Sequence, residues 1–154
     1  MNYEDLLMES EQAGLVVREK TIHRDGMIYG KRIAIRQDIP TLAKKADVLA
    51  EELGHYYTTV GNILDQTNVE ARKQERAARM WAYNKRIGLS GLLEAFKHHC
   101  SNRYEIAEYL GVSEDTLAEA LEYYRQIYGT GTMIENYFIQ FEPHLQVYEY
   151  FPVK

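Results

Sequence analysis

The chain has 154 residues, 45% apolar and 27% charged, with a formal net charge of −5 at pH 7. That length and balance describe a folded chain with its own core, not a disordered or membrane-spanning one, and the acidic excess argues against nonspecific affinity for nucleic acid. The lone Cys100 excludes an internal disulfide, no apolar run reaches bilayer length, and residues 1–5 lack the basic and apolar segments of a secretory signal, so a soluble cytoplasmic protein is expected.

Residues 3–13 read as a short helix closed by Gly14, with Leu6, Leu7 and Ala13 turned inward. The period then shortens. Leu15-Val16-Val17 and Met27-Ile28-Tyr29 are β-prone runs, and Arg32-Ile33-Ala34-Ile35-Arg36 alternates polar with apolar, as a strand with one buried face does. Turn formers at Asp25-Gly26 and Gly30-Lys31 lead to the expectation of a small antiparallel sheet. Ile39-Pro40-Thr41 supplies a strand exit, a rigid turn and a helix cap.

Residues 41–60 read as the central helix, because Leu42, Ala46, Leu49, Leu53, Tyr57 and Val60 recur every three or four positions and form one apolar stripe. On the other face Glu51 and His55 stand one turn apart, with Glu52 turned to the same side. The spacing is that of the zinc-peptidase helix H-E-x-x-H, whose two histidines hold a metal while the glutamate between them activates water; here Glu51 stands where the first histidine would be. Carboxylates and a histidine on a polar helix face are also commonplace without any metal.

A turn is expected over 61–68 and a second long helix over 69–87, rich in strong helix formers. On it Glu75, Ala78 and Ala82 share a face, and the two alanines would let another helix come close enough to bring Glu75 to His55. The residues by themselves favour an exposed pair of Glu75 with Arg79 four residues on, a contact worth under about 1 kcal/mol. Gly88-Leu89-Ser90-Gly91 reads as a break, and 92–98 as another short helix. Lys97-His98-His99-Cys100 offers too few ligands at the right spacing for a structural zinc site and reads as a polar helix end.

Residues 104–128 read as helix, turn, helix, with Ala107, Gly111 and Leu117 at the spacing of a DNA-reading pair and Ser113 as a cap. Charge opposes that role. From Glu105 to Glu122 there are six acids and no lysine or arginine, so phosphate would be repelled, and a structural subdomain or protein-docking surface is expected. Alternation returns in 137–141 and 146–151, the signature of a C-terminal β segment. The expected architecture is a single α+β domain over 1–154: sheet and site helices in 1–88, a helical subdomain in 89–129, and the β segment in 130–154.

Three stretches taken together resemble the ImmA/IrrE family of metallopeptidases, particularly its short members from phages and mobile elements of Gram-positive bacteria. They are residues 49–59 following Ile33-Ala34-Ile35 and Ile39-Pro40-Thr41; Lys73-Gln74-Glu75 through Trp81-Ala82-Tyr83; and 104–113 with the strand at 137–143. The resemblance implies a zincin-like helix pair, with His55 as the second histidine of the motif, Glu52 as general base and Glu75 as third ligand. Glu51 departs from the motif, yet zinc accepts carboxylate oxygen, so Glu51, His55 and Glu75 could fill three positions and leave a fourth to water. Two anionic ligands would offset most of the ion's charge, which implies slow turnover, or a harder ion such as manganese, or no ion at all. The implied activity is zinc-dependent cleavage of a helix-turn-helix repressor in the bacterial cytoplasm, with Tyr56 or Tyr57 as minor candidates to steady the oxyanion. The rival expectation is a degenerate peptidase scaffold that binds a repressor stoichiometrically, and the third a DNA-binding regulator.

Overall fold

The structure, a computed structural model, describes residues 1–59 and 68–151. It divides into two units, Met1–Arg86 and Ile87–Lys154. The turn expected over 61–68 lies, apart from the helix start at Asn68, outside the described residues, as does Val60 of the apolar stripe.

In the first unit, helix α1 (Tyr3–Gln12) begins with a capping box: the Asn2 side chain accepts from the Asp5 amide, and the Asp5 carboxylate accepts from the Asn2 amide. Gly14, at a φ of +79°, turns the chain out of the helix, as expected. Strands β1 (Val16–Lys20), β2 (Gly26–Tyr29) and β3 (Arg32–Arg36) then form a three-stranded sheet in the order β1-β3-β2. The α+β class and the small N-terminal sheet agree with the expectation. Its strand directions agree only in part, because β2 and β3 are antiparallel but β1 runs parallel to β3. Sequence alternation and turn residues specify the β2–β3 hairpin; they do not reveal that residues 21–25 carry the chain past the place that β3 later fills.

Helix α2 (Leu42–Thr58) starts at Thr41, whose hydroxyl accepts from the Lys44 amide at 3.1 Å. Ile33 and Ile35 on the inner face of β3 meet Ala46, Leu49 and Leu53 of α2, with Leu6 and Leu15 closing the cluster, all at 5% exposure or less. The expected stripe is therefore buried in its middle and open at its described ends, where Leu42 is 68% and Tyr57 43% exposed. Length explains this. Strands of five residues reach about 16 Å, whereas a 17-residue helix runs about 25 Å and overhangs them.

Helix α3 (Asn68–Arg86) packs on α2 through Ala78 and Ala82, both buried. Arg86 at its end has a side chain only 1% exposed, and donates to Asp47 of α2 at 3.2 Å and to the carbonyls of Ala43 and Met1.

In the second unit, helix α4 (Gly88–Lys97) starts at Gly88, four residues before the expected 92. The break is a single residue, Ile87, followed by Gly88 at a φ of +67°, while Gly91 sits inside the helix beside Leu110. Helices α5 (Arg103–Leu110) and α6 (Glu114–Tyr128) form the expected helix-turn-helix, capped by Asn102 and Ser113 and joined through Gly111 in the left-handed region. Ala107 and Leu117 are buried between them, and all six acids face solvent. Strands β4 (Gly131–Ile134), β5 (Tyr137–Gln140) and β6 (Gln146–Glu149) make an antiparallel meander whose Ile139 is fully buried. No helix among the described residues is long and apolar enough to cross a membrane.

Candidate metal centre

Helix α2 can carry a polar row above a tight helix contact because its small residues lie where α3 crosses it. A Cβ placed on Gly54 would stand 2.3 Å from the backbone oxygen of Ala78 and 3.0 Å from its carbonyl carbon, so the two backbones touch where any side chain would hold them apart. The contact sets the neighbouring rows face to face. His55, next along α2, presents Nε2 to Oε2 of Glu75 on α3 at 3.2 Å.

Glu51, one turn before His55, completes the group: one ligand atom from each of Glu51, His55 and Glu75 lies within 4.8 Å of the other two. The side chains are 40%, 25% and 41% exposed, so the group opens to solvent on one side. Among the described residues, no other group of three or more such side chains could hold a metal. Tetrahedral zinc with bonds of 2.0–2.1 Å would hold its ligand atoms about 3.3 Å apart. The His55–Glu75 pair already has that spacing, and small rotations of exposed carboxylates would bring Glu51 in. An imidazole nitrogen and two carboxylate oxygens are donors that zinc accepts, and manganese accepts them too.

Arg79 also enters this group. Its Nε lies 3.2 Å from Oε1 of Glu75 and 3.8 Å from Oε1 of Glu51. Both readings of Glu75 in the sequence therefore hold at once, since it meets His55 through one oxygen and Arg79 through the other. The i, i+4 spacing signalled the Arg79–Glu75 pair, but nothing in the sequence pointed to Glu51 as Arg79's second neighbour.

Glu52, next to Glu51 on α2, is near enough to the group to feel the charges of Glu51 and Glu75. It is part-buried against β2, where a Cβ on Gly26 would meet its Cγ at 3.2 Å and its Oε1 at 3.3 Å. Burial, reinforced by the charges of Glu51 and Glu75 and opposed by Arg24, raises its carboxyl from the ordinary 4.5 to about 7. A raised carboxyl holds its proton longer in the folded chain than in the unfolded one. It therefore contributes stability that is complete below pH 4.5 and lost as pH rises through 7. Without metal, the wild type is expected to gain up to about 2 kcal/mol over Glu52→Gln between pH 8 and pH 5, allowing for solvent screening of a part-exposed group. Urea midpoints of both proteins across that range check it, and a constant difference would refute it.

The tyrosines divide differently from the expectation. Tyr57 is on the surface, stacked on Trp81 at 5.1 Å between ring centres, while Tyr56 packs against the core and meets Tyr57 edge to face. Trp81 in turn carries the Lys85 ammonium 5.7 Å from its ring centre.

No curated protein and no solved structure matches the chain. The model of a peptidase family described as the IrrE N-terminal-like domain matches residues 10–122, a span that takes in the sheet, α2, α3 and every residue of the carboxylate–histidine group. The chain thus belongs to the IrrE N-terminal-like domain family, of the ImmA/IrrE metallopeptidase type.

Proposed function

We propose that the protein is a zinc-dependent endopeptidase that cuts a helix-turn-helix repressor in the bacterial cytoplasm. The observation that carries this reading is the meeting of Glu51, His55 and Glu75 within 4.8 Å, beside a third carboxyl, Glu52, whose pKa is raised to about 7. When bound, a divalent ion would supply Lewis acidity toward the scissile carbonyl and a more acidic water.

The chain's own groups do the rest. His55, Glu51 and Glu75 are the ligands. Glu52, with a carboxyl at about 7, is matched to proton transfer at neutral pH: it takes a proton from water as the water oxygen bonds to the carbonyl carbon. The same proton passes to the amide nitrogen as the C–N bond breaks, leaving a carboxylate and an amine. Strand β2 is an edge of its sheet, so an extended substrate segment could pair with its free backbone groups close to Glu52.

A second reading, a scaffold that binds the repressor without cutting it, is favoured by one observation: Arg79 already pairs with Glu75 and lies 3.8 Å from Glu51, where a metal ion would compete with it. Incubating the protein with the repressor encoded beside its gene separates the two. Hydrolysis is expected to fall at least about 100-fold in Glu52→Gln, and zinc binding, followed by calorimetry, to disappear in His55→Ala. Derepression that survives Glu52→Gln, with no fragments formed, would establish the scaffold reading instead.

A further inference from the structure

The outer face of the N-terminal sheet carries a charge opposite to that of the chain. Residues 16–36 hold six of the 18 lysines and arginines but only two of the 23 acids. Both acids are engaged elsewhere: Glu19 turns inward to Tyr3 and Lys45, and Asp25 binds Arg36 at 2.8 Å. A shallow groove runs over the outer face between β1 and β2. Its cations are Arg18, Lys20 and Arg32, none ion-paired among the described residues, and no acid lines it. Between the cations lie Val16 at 43% exposure, Met27 at 42% and Tyr29 at 87%, an amount of open apolar surface that a sheet face meant only for solvent does not need.

We propose that this groove docks an acidic protein segment bearing apolar side chains, and that it holds such a segment of the substrate on β2, the strand whose inner face borders Glu52. Charge complementarity defines the occupant: three unpaired cations call for carboxylates, and the aliphatic centre calls for aliphatic partners. Single-stranded nucleic acid would satisfy the cations, but it binds sheets by stacking on several rings, and Tyr29 is the one aromatic side chain in the groove. Strand β2 couples the groove to the site. Its inward Gly26 abuts Glu52, and its outward Tyr29 stands about 10 Å further along the strand. The identity of the docked segment as substrate rests on the peptidase reading; the docking itself does not.

The test is fluorescence anisotropy with a labelled peptide in which leucines recur every third or fourth position among glutamates. EDTA is present, so neither metal nor cleavage enters the readout. The same peptide with lysine in place of glutamate and a 20-nucleotide oligothymidine serve as competing probes. The wild type is expected to bind the acidic peptide, the Arg18→Glu/Arg32→Glu protein at least about tenfold more weakly, and the milder Arg18→Gln/Arg32→Gln protein to fall between, with affinity falling as salt rises. Glu75→Gln is expected to bind it as the wild type does, which keeps the groove distinct from the metal group. Equal binding of the lysine peptide, tighter binding of the oligonucleotide, or unchanged affinity in both arginine variants would overturn the proposal. Absence of zinc-dependent cleavage with this binding intact would overturn only the peptidase reading.

Discussion

Gly54→Ala is expected to destabilise the first unit by about 3 kcal/mol, although the same exchange inside an ordinary helix gains close to 1 kcal/mol. The sign is decided by what the new methyl meets. At 2.3 Å from the Ala78 oxygen and about 3 Å from two further backbone atoms, it lies against main chain, which cannot swing aside as a side chain can. The helices have to part by more than an ångström. Separation of α2 from α3 breaks two things together: the packing of Ala78 and Ala82 against α2, and the 3.2 Å approach of His55 to Glu75. A drop in the urea midpoint accompanied by loss of zinc binding is the expected pair of results. A variant as stable as the wild type would show that the helix contact is looser than described.

Removal of Arg86 is the second large effect. Asp47 and Arg86 have side chains 5% and 1% exposed, and Arg86 joins the start of α2, the end of α3 and the carbonyl of Met1. Replacing only one partner strands a charge where water cannot reach it, at a cost of about 3–5 kcal/mol. Arg86→Met is therefore expected to unfold at a much lower urea concentration than the wild type. The double variant Asp47→Leu/Arg86→Met should recover most of that loss, since a buried ion pair is often no more stabilising than well-packed apolar residues. Equal damage from the single and double variants would mean that the arginine acts through its carbonyl contacts, not through the aspartate.

The local elements were readable because each is written in neighbouring residues: the stop at Gly14, the cap at Thr41, the turn at Gly111 with the cap at Ser113. The carboxylate–histidine group was legible for a different reason. Glu51 and His55 share a helix face by spacing alone, and the alanines at 78 and 82 signalled a close approach that would deliver Glu75. What the sequence hid depends on contacts between residues far apart in it. Asp47 reads as one more polar residue on α2 until α3 brings Arg86, 39 positions later, to meet it. Gly26 reads as a turn former until its missing side chain proves to be the space that Val48 and Glu52 of α2 pack into. The position of Arg79 between two carboxylates likewise needs both helices in place.

The order β1-β3-β2 also bears on how the chain assembles. The strand in the middle is the last of the three to be synthesised, and Val16 waits for Arg32 before it has a backbone partner. A nascent chain emerging from the ribosome can close the hairpin of β2 and β3 locally, but β1 stays without a mate until that hairpin exists to receive it. Amides of β3, bonded on both sides, should then be the slowest of the sheet to exchange with deuterated solvent, and those along the outer edge of β1 among the fastest.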